Sequence, residues 1–188
     1  MSPRQLIAYP WIALAVVWVV TGVLAKPAVR RQSPGSRLAH LGATLVGFVL
    51  IFNSSLHLGP LDGRLYDPRL DIAYLGAALT VVGVAFAIWA RFYLGSNWSG
   101  SVTVKEDHTL IRGGPYAVVR HPIYTGILFA ALGSAIAYGR IRGFLGVLIL
   151  VITLRVKSRL EERFMQQRFG PQYATYKHDV KALVPFIW

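Results

Sequence analysis

The stretch IAYLGAALTVVGVAFAIWA, residues 72–90, contains no Asp, Glu, Lys or Arg. An α-helix needs roughly 17–25 consecutive apolar residues to cross ~30 Å of hydrocarbon, and this stretch reaches that length. Similar charge-free windows occur at 5–25, 38–61 and 121–139. Because the chain has only 188 residues, 54% of them hydrophobic, four such windows indicate a polytopic membrane protein rather than a soluble domain.

A fifth apolar stretch, 143–154, is short, since a helix of this length spans only about 18 Å. It reaches across a bilayer if the helix continues through Arg155, Lys157 and Arg159, whose long side chains extend toward the headgroups. A buried or re-entrant helix is the alternative. The glycines at the two ends of segment 139–143 predict a tight helical hairpin before it. We therefore expect an all-α, polytopic membrane protein with about five transmembrane helices.

The formal net charge of +12 is carried mostly between and after the apolar windows. Basic residues accumulate on the cytoplasmic side of a membrane, so five spans with an outside N-terminus place the first loop, the third loop and the C-terminal tail in the cytoplasm. Only the turn with Arg140 and Arg142 argues against this orientation. Topology and anionic lipid headgroups account for the basic surplus, so nucleic acid is not an expected partner.

Cysteine is absent from the sequence, which excludes disulfides, thiolate metal sites and a cysteine nucleophile. No spacing of His and acidic residues suggests a metal site. The first apolar window lacks a clear cleavage pattern and is expected to be a retained helix rather than a signal peptide.

The two halves of the chain differ in character. Residues 1–95 form a predicted N-terminal three-helix membrane region with little polar chemistry. Polar residues cluster in the C-terminal region, 96–188, which begins near an interfacial turn predicted at Asn97-Trp98-Ser99-Gly100. A short extended stretch is expected at 102–104, and Gly113-Gly114-Pro115-Tyr116 is a strong turn signal.

Arg120-His121-Pro122 opens the fourth apolar window. Proline suits the first position of a helix, where its missing N–H has no partner to lose. The free N–H groups of Ile123 and Tyr124 then point out of a helix N-terminus, which attracts a carboxylate or phosphate. Tyr124 lies three residues after His121, so both side chains project from the same side. The alternative is a capped membrane helix with an interfacial tyrosine.

Glu161 and Glu162 lie on the helical continuation of the last apolar stretch. Adjacent helical residues point about 100° apart, so at most one carboxylate is expected to face a given pocket. Taken alone, the pair is better explained by surface pairing with Lys157 and Arg159. An aromatic run follows, for which interfacial anchoring is the favoured role: Phe164, Phe169, Tyr173 and Tyr176.

Together, a positive helix end and a carboxylate at the cytoplasmic ends of two paired helices suit a zwitterionic ligand with a carboxylate and an ammonium group. S-adenosylmethionine is such a ligand. NADPH, sterols and phospholipid headgroups are not excluded by these residues.

The C-terminal half resembles the isoprenylcysteine carboxyl methyltransferase and phospholipid methyltransferase superfamily of integral membrane enzymes that use S-adenosylmethionine. The resemblance covers residues 97–186, and as an ordered set the matching residues are specific. They are His108-Thr109-Leu110-Ile111, Gly114-Pro115-Tyr116, Arg120-His121-Pro122-Ile123-Tyr124-Thr125-Gly126, Glu161-Glu162, Phe169-Gly170, Tyr173, Tyr176 and Val184-Pro185.

The resemblance implies a donor site at the cytoplasmic side and a gap toward the bilayer that admits a lipidic acceptor. It implies that the donor contacts His108, Thr109, Leu110, Ile111, Tyr116, His121, Pro122, Ile123, Tyr124 and Glu161. The residues expected to be catalytic are Arg120, Glu161 and Glu162. Lys157 is expected near the acceptor.

The expected reaction is methyl transfer to a lipophilic small-molecule acceptor, for which the enzyme mainly supplies alignment and water exclusion. A carboxylate acceptor needs no base, whereas an amine or hydroxyl acceptor would use Glu161 or Glu162. Two alternatives remain open. One is an NADPH-dependent membrane reductase of the sterol type, and the other is a non-catalytic membrane protein that retains the fold. The sequence leaves the acceptor and the oligomeric state undetermined.

Overall fold

The computed structural model describes residues 1–22, 30–31, 33–55, 57–67, 69–95, 103–104 and 110–185. Helices make up most of this part of the chain. The elements are α1 (Pro3–Gly22), β1 (Arg30–Arg31), α2 (Pro34–Phe52), a 3-10 helix (Gly59–Asp62), α3 (Leu70–Leu94), β2 (Thr103–Val104), α4 (Pro115–Val118), α5 (Pro122–Tyr138), α6 (Ile141–Phe169) and α7 (Pro171–Asp179).

Three helices, α1, α2 and α3, are long and apolar enough to cross a membrane. Helix α5 is a shorter apolar helix of 17 residues. Helix α6 has 29 residues and runs without a break from the apolar stretch 143–154 through Arg155, Lys157 and Arg159. The predicted continuation of the last apolar helix is therefore confirmed, while the number of five crossings stays a prediction.

The second apolar window, 38–61, was expected to be one helix, and this extent is wrong. Helix α2 ends at Phe52, and Asn53 follows in extended backbone. The Asn53 side chain accepts a hydrogen bond from the Ser55 N–H at 2.9 Å. Short polar side chains that bond nearby backbone compete with the helix, so they end it inside a window that hydropathy alone reads as continuous.

The long helices alternate in direction. Tyr74 donates to the Met1 carbonyl at one end of α3, and Arg91 donates to the Thr21 carbonyl at the other, so α1 and α3 run parallel. Helices α2 and α6 run antiparallel and touch near Gly146, where an added Cβ would lie 2.5 Å from the carbonyl oxygen of α2's Gly47.

The connections confirm this arrangement. Strands β1 and β2 pair antiparallel and join the segments after α1 and α3 at one end of the bundle. At the opposite end, the Leu65 N–H donates to the Gly139 carbonyl at 2.8 Å. The segments after α1, α3 and α6 therefore lie at one end, as the predicted topology requires.

One of the two arginines in the turn that argued against the predicted orientation has an acidic partner. Arg142 is 2% exposed, and its Nη1 lies 3.5 Å from Oδ1 of Asp62. The Asp62 carboxylate also accepts the Leu58 N–H at 2.6 Å. Because Arg142 is paired inside the protein, it does not act as a free positive charge in the loop.

Helices α3 and α5 approach so closely that only glycine fits at their contacts. A Cβ added to Gly133 would lie 2.5 Å from the Gly76 carbonyl oxygen, and one added to Gly126 would lie 2.5 Å from that of Gly83. Small residues allow such backbone contact between membrane helices. Gly126 thus admits the backbone of a neighbouring helix. This seam crosses the predicted division at residue 95, which stays a prediction.

A polar network holds α1 against the same seam. The Trp11 indole donates to the Ser134 hydroxyl at 3.1 Å, and that hydroxyl lies 3.1 Å from the Thr80 hydroxyl. Thr80 and Ser134 are fully buried, and each is also within hydrogen-bond distance of the Ala130 carbonyl. Every member has a partner, so the polar groups are not left unsatisfied in an apolar interior.

We predict that Gly133→Ala destabilises the protein by about 1–3 kcal/mol, because the new methyl group overpacks against the backbone of α3. Gly42→Ala is the matched control, since nothing lies within 4 Å of a Cβ added there. The apparent melting temperature in detergent checks this: Gly133→Ala lowers it and Gly42→Ala does not. Equal melting temperatures for the two variants would show that the seam tolerates a side chain.

Candidate active site

The start of α5 is held by the turn that precedes it. Gly114 has a φ of 57°, a left-handed conformation that favours glycine, and it begins α4. A Cβ at Gly114 would lie 2.5 Å from the Tyr93 ring of α3. Tyr116 is buried, with its hydroxyl 3.4 Å from the Ala90 carbonyl. The predicted turn at 113–116 is therefore confirmed, and it packs on the end of α3.

The C-terminal tail fixes the next residues from the other side. The Arg120 N–H donates to the Lys181 carbonyl at 2.8 Å, and the His121 N–H donates to the Ala182 carbonyl at 3.0 Å. Pro122 then begins α5 as its first residue, which confirms the predicted helix start. The main chain before α5 therefore has its donors occupied, while the first N–H groups of the helix itself have no partner inside the helix.

Arg120 and Glu162 form a buried ion pair that joins this segment to α6. Arg120 Nη2 and Nε donate to Glu162 Oε1 at 2.6 and 3.1 Å, and each side chain is 6% exposed. Arg120 Nη1 donates to the carbonyls of Lys177 and Val180 near the end of α7. The Lys177 ammonium lies 3.3 Å from the other Glu162 oxygen, so the carboxylate is enclosed by cations.

His121 lies between the two adjacent carboxylates. Its Nε2 is 3.3 Å from Glu162 Oε1, and its Nδ1 is 3.4 Å from Glu161 Oε2. The Tyr124 hydroxyl donates to Glu161 Oε1 at 2.5 Å. The His121 and Tyr124 rings stack with centroids 5.5 Å apart, which confirms that both project from the same side of α5.

One of the two expectations about the carboxylates is wrong. At most one of Glu161 and Glu162 was expected to face a given pocket, and this stays a prediction; both carboxylates contact the His121 imidazole that lies between them. Glu162 was expected to pair at the surface with Arg159, but it is 5% exposed and pairs with Arg120 instead. A partner from a distant part of the chain overrides the local spacing.

Lys157 lies on the outer side of this cluster. Its ammonium is 5.3 Å from the centroid of the Tyr124 ring, within range of a cation–π contact. The structure therefore places a second cation close to the Tyr124–Glu161 hydrogen bond.

The aromatic run in the last turns of α6 and in α7 does not serve as an interfacial anchor at two of its positions. Tyr173 and Tyr176 are 3% and 4% exposed, and their rings meet edge to face. The Tyr176 hydroxyl donates to the Tyr116 carbonyl at 2.6 Å. Arg112 lies over the Tyr176 ring and donates to the Gln172 carbonyl. Helix α7 thus covers the site, and burial raises the pKa of Tyr176 to about 12.

The charged groups of the cluster lie outside the apolar helix segments, and their pKa values are shifted by the hydrogen bonds among them. Burial alone would lower the pKa of His121, but hydrogen bonds to the Glu161 and Glu162 carboxylates outweigh it, and the pKa is raised. Burial alone would raise the pKa of the Glu162 carboxyl, but hydrogen bonds from His121 and Arg120 outweigh it, and the pKa is lowered. The pKa of Glu161 is lowered as well, against the effect of burial, chiefly by the His121 hydrogen bond. The favoured state is an imidazolium between two carboxylates.

Of the remaining residues that were predicted to line the donor site, the structure describes only some. His108 and Thr109 lie outside the described residues, as does the predicted turn at 97–100. Leu110 and Ile111 are half-buried, and Ile111 packs beside Tyr116 and Ile123. Lys177 and Arg112 were not predicted as site residues. The sequence of the nine-residue helix α7 does not indicate these contacts, because they form only when the C-terminal tail packs against the start of α5.

A family model of phospholipid methyltransferases matches residues 72–172, from α3 to the first turn of α7. The chain belongs to the phospholipid methyltransferase family. The resemblance inferred from the sequence is thereby confirmed, and the candidate site of this phospholipid methyltransferase family member is formed mostly by residues inside the matched range.

Known relatives carry more than one name. Protein-S-isoprenylcysteine O-methyltransferase of Saccharomyces cerevisiae is 31% identical over 122 residues, 60% of this chain and 48% of that protein. The cobalt-zinc-cadmium resistance protein CzcN of Cupriavidus metallidurans is 32% identical over 127 residues, 66% of this chain and 53% of that protein.

A solved structure shares the fold. The eukaryotic intramembrane Ras methyltransferase ICMT (isoprenylcysteine carboxyl methyltransferase) aligns with a TM-score of 0.54 and 22% identity, covering 85% of this chain and 55% of that one. This chain therefore spans about half the length of each of these three proteins.

The raised pKa of His121 predicts a pH-dependent stability. A raised pKa means that the folded protein holds the proton more tightly than the unfolded chain, so the stabilisation is complete below the ordinary histidine pKa of about 6.5 and is lost as the pH rises through the raised value. We expect the apparent melting temperature to fall as the pH rises above about 6.5. His121→Gln removes this dependence. His178→Gln, at an 89% exposed side chain, leaves it unchanged, and a dependence that survives in His121→Gln would contradict the assignment.

Proposed function

We propose that the chain catalyses methyl transfer from S-adenosylmethionine to a lipidic or isoprenoid acceptor at the membrane interface. The single observation that carries this proposal is the juxtaposition of a helix N-terminus and a half-buried carboxylate. The first turn of α5 lies beside Glu161, whose side chain is 25% exposed. The helix N-terminus suits the carboxylate of the amino-acid part of S-adenosylmethionine, and Glu161 suits its ammonium.

The helix end supports the binding of the donor's carboxylate. Pro122 has no N–H, and His121 gives the N-terminus of α5 no side-chain hydrogen bond. The N–H groups of Ile123 and Tyr124 are thus the helix donors available to an anion, and the helix dipole favours negative charge at this end.

Glu161 supports the binding of the donor's ammonium. Its carboxylate is less enclosed than that of Glu162, which is 6% exposed and faces Arg120, His121 and Lys177. Tyr124 and His121 orient Glu161 by direct contact. The lowered pKa of Glu161 keeps the carboxylate charged at neutral pH, as an ammonium partner requires.

The surroundings fit the rest of the donor. S-adenosylmethionine supplies a methyl group on a cationic sulfonium, which needs alignment and exclusion of water rather than activation. Ala90, Tyr116 and Ile123 form a buried apolar cluster directly beside the N-terminus of α5. Such a wall excludes water from one side of the proposed donor position.

The roles divided among the charged residues differ from those expected from the sequence. We assign Glu161 to contact with the donor, and Arg120 and Glu162 to positioning. Arg120 and Glu162 satisfy each other at 2.6 Å and are almost fully buried, so they fix α5, α6 and α7 relative to one another. Lys157, beside the Tyr124 ring, is assigned to the acceptor.

The proposed acceptor is a prenylcysteine-like carboxylate. The name of the yeast relative supports this choice, while the different name of the Cupriavidus relative makes the acceptor a matter for direct test. A carboxylate becomes a neutral ester on methylation without losing a proton, so no base is needed. The site is proposed to face the cytoplasm, in line with the basic segments at that end of the helices.

We predict saturable binding of S-adenosylmethionine to the detergent-purified protein in isothermal titration. Glu161→Gln lowers the affinity by about tenfold or more, because a charge-assisted contact to the ammonium is lost. Asp67→Asn is the matched control, since its side chain is 88% exposed and lies in the loop before α3.

Melting temperatures of both variants separate loss of binding from loss of folding. Absence of saturable binding by a well-folded wild-type protein, or equal affinity in Glu161→Gln, would overturn the proposed donor site. NADPH titrated under the same conditions is expected to give no saturable binding.

A second prediction concerns the acceptor. With methyl-labelled donor and an S-prenylated cysteine that has a free carboxylate, the labelled product should be alkali-labile, because a methyl ester releases methanol and an N-methyl group does not. Lys157→Ala should raise the acceptor KM roughly fivefold, as expected for a partly exposed ion pair worth about 1 kcal/mol. The Lys157→Ala substitution should leave the affinity for the donor unchanged. Lys181→Ala, at an exposed residue of the tail, is the control and should leave the acceptor KM unchanged.

An alkali-stable product would exclude the carboxylate acceptor.

A further inference from the structure

A pocket lies along the polar part of α6 that follows residue 154. It is an open groove with a volume of about 530 Å³. Its wall is shared with the candidate active site only at the buried Arg120–Glu162 pair and at Lys177. The lining residues are Arg120, Arg155, Arg159, Glu162, Arg163, Gln166, Gln167 and Lys177.

The groove is strongly cationic. Five of its lining side chains are basic and one is acidic, which gives the lining a net charge of +4. The acidic one, Glu162, already lies against Arg120, His121 and Lys177. Its negative charge is therefore committed, and the three arginines that α6 contributes face the groove with no other carboxylate in the lining.

The spacing of these arginines is unfavourable for the helix alone. Arg155, Arg159 and Arg163 follow one another at four-residue intervals, so they form one row on a single face of α6. Like charges at this spacing repel each other and destabilise a helix. An anion bound along the row would relieve the repulsion, and the guanidinium group matches phosphate oxygens in a two-pronged geometry.

The position of the arginine row along α6 favours a lipid headgroup over a free anion as the ligand. The apolar stretch 143–154 ends immediately before Arg155, so the row begins where α6 leaves the hydrocarbon. This is the level of the lipid headgroups, where basic clusters attract anionic lipids. Gln166 and Gln167 are exposed farther along α6, at the far end of the groove.

We propose that this groove binds the phosphate of an anionic phospholipid as a site separate from the proposed donor site. The bound lipid lies with its phosphate along the arginine row and its acyl chains beside the apolar part of α6. This inference rests on the membrane location of the chain and goes beyond methyl transfer, because Arg159 and Arg163 have no role in the proposed reaction.

The experiment is native mass spectrometry of the full chain released from detergent, with phosphatidylglycerol and phosphatidylcholine of identical acyl chains as competing probes. Wild-type protein is expected to retain phosphatidylglycerol preferentially. Arg159→Gln/Arg163→Gln should reduce that retention about tenfold, since two charge-assisted contacts are lost. Arg37→Gln/Arg69→Gln removes the same charge from exposed positions outside the groove and should retain the lipid like the wild type.

Inorganic phosphate provides the third arm, measured as protection against thermal unfolding. Protection by phosphatidylglycerol but not by millimolar phosphate supports a lipid site. Equal retention of the two lipids, equal loss in the two double variants, or protection by phosphate that matches that of the lipid would each overturn the proposal. Donor binding, measured alongside in each variant, is expected to be unchanged, so failure of the lipid site and failure of the proposed methyl transfer give different results.

Discussion

The buried pair of Arg120 and Glu162 is the interaction on which the rest of the site depends. Two charges with 6% exposed side chains are costly to remove from water, and their attraction offsets that cost only when the remaining donors and acceptors are also satisfied. Here Arg120 also reaches the Lys177 and Val180 carbonyls, and Glu162 also reaches His121. One ion pair therefore ties α5, α6 and α7 together, and the geometry of the proposed donor site follows from it.

The glycine seam sets where that ion pair lies relative to α3. Because the backbones of α3 and α5 touch at two places along their length, α5 cannot slide against α3. The end of α3 packs on the turn at Gly114, and Tyr116 reaches back to Ala90. The apolar contacts with α3 thus determine the position of the α5 N-terminus along α3. The polar contacts of the C-terminal tail determine the orientation of that N-terminus.

Local signals in the sequence were sufficient to predict where helices such as α5 start and end. They were insufficient to predict which side chains contact one another across the fold. Pro122 and Gly139 mark the limits of α5 because proline and a left-handed glycine have only local requirements. The extent of α2 was misjudged because hydropathy does not register the side-chain bond of Asn53. The burial of Tyr176, and the role of Lys177 as a partner of Glu162, depend on a tail that returns across the site. No periodicity in α6 or α7 encodes that return.

The two adjacent glutamates show how one sequence motif supports two physical tasks. Helical geometry turns neighbouring side chains about 100° apart. The His121 imidazole lies between the two carboxylates, with the enclosed Glu162 on one side and the more accessible Glu161 on the other. Glu162, surrounded by Arg120 and Lys177, has no charge left for a ligand. Glu161 keeps a quarter of its side chain exposed and faces the tyrosine of the helix N-terminus. The buried member makes the geometry rigid, and in the proposed function that rigidity lets the accessible member hold the donor in alignment for transfer.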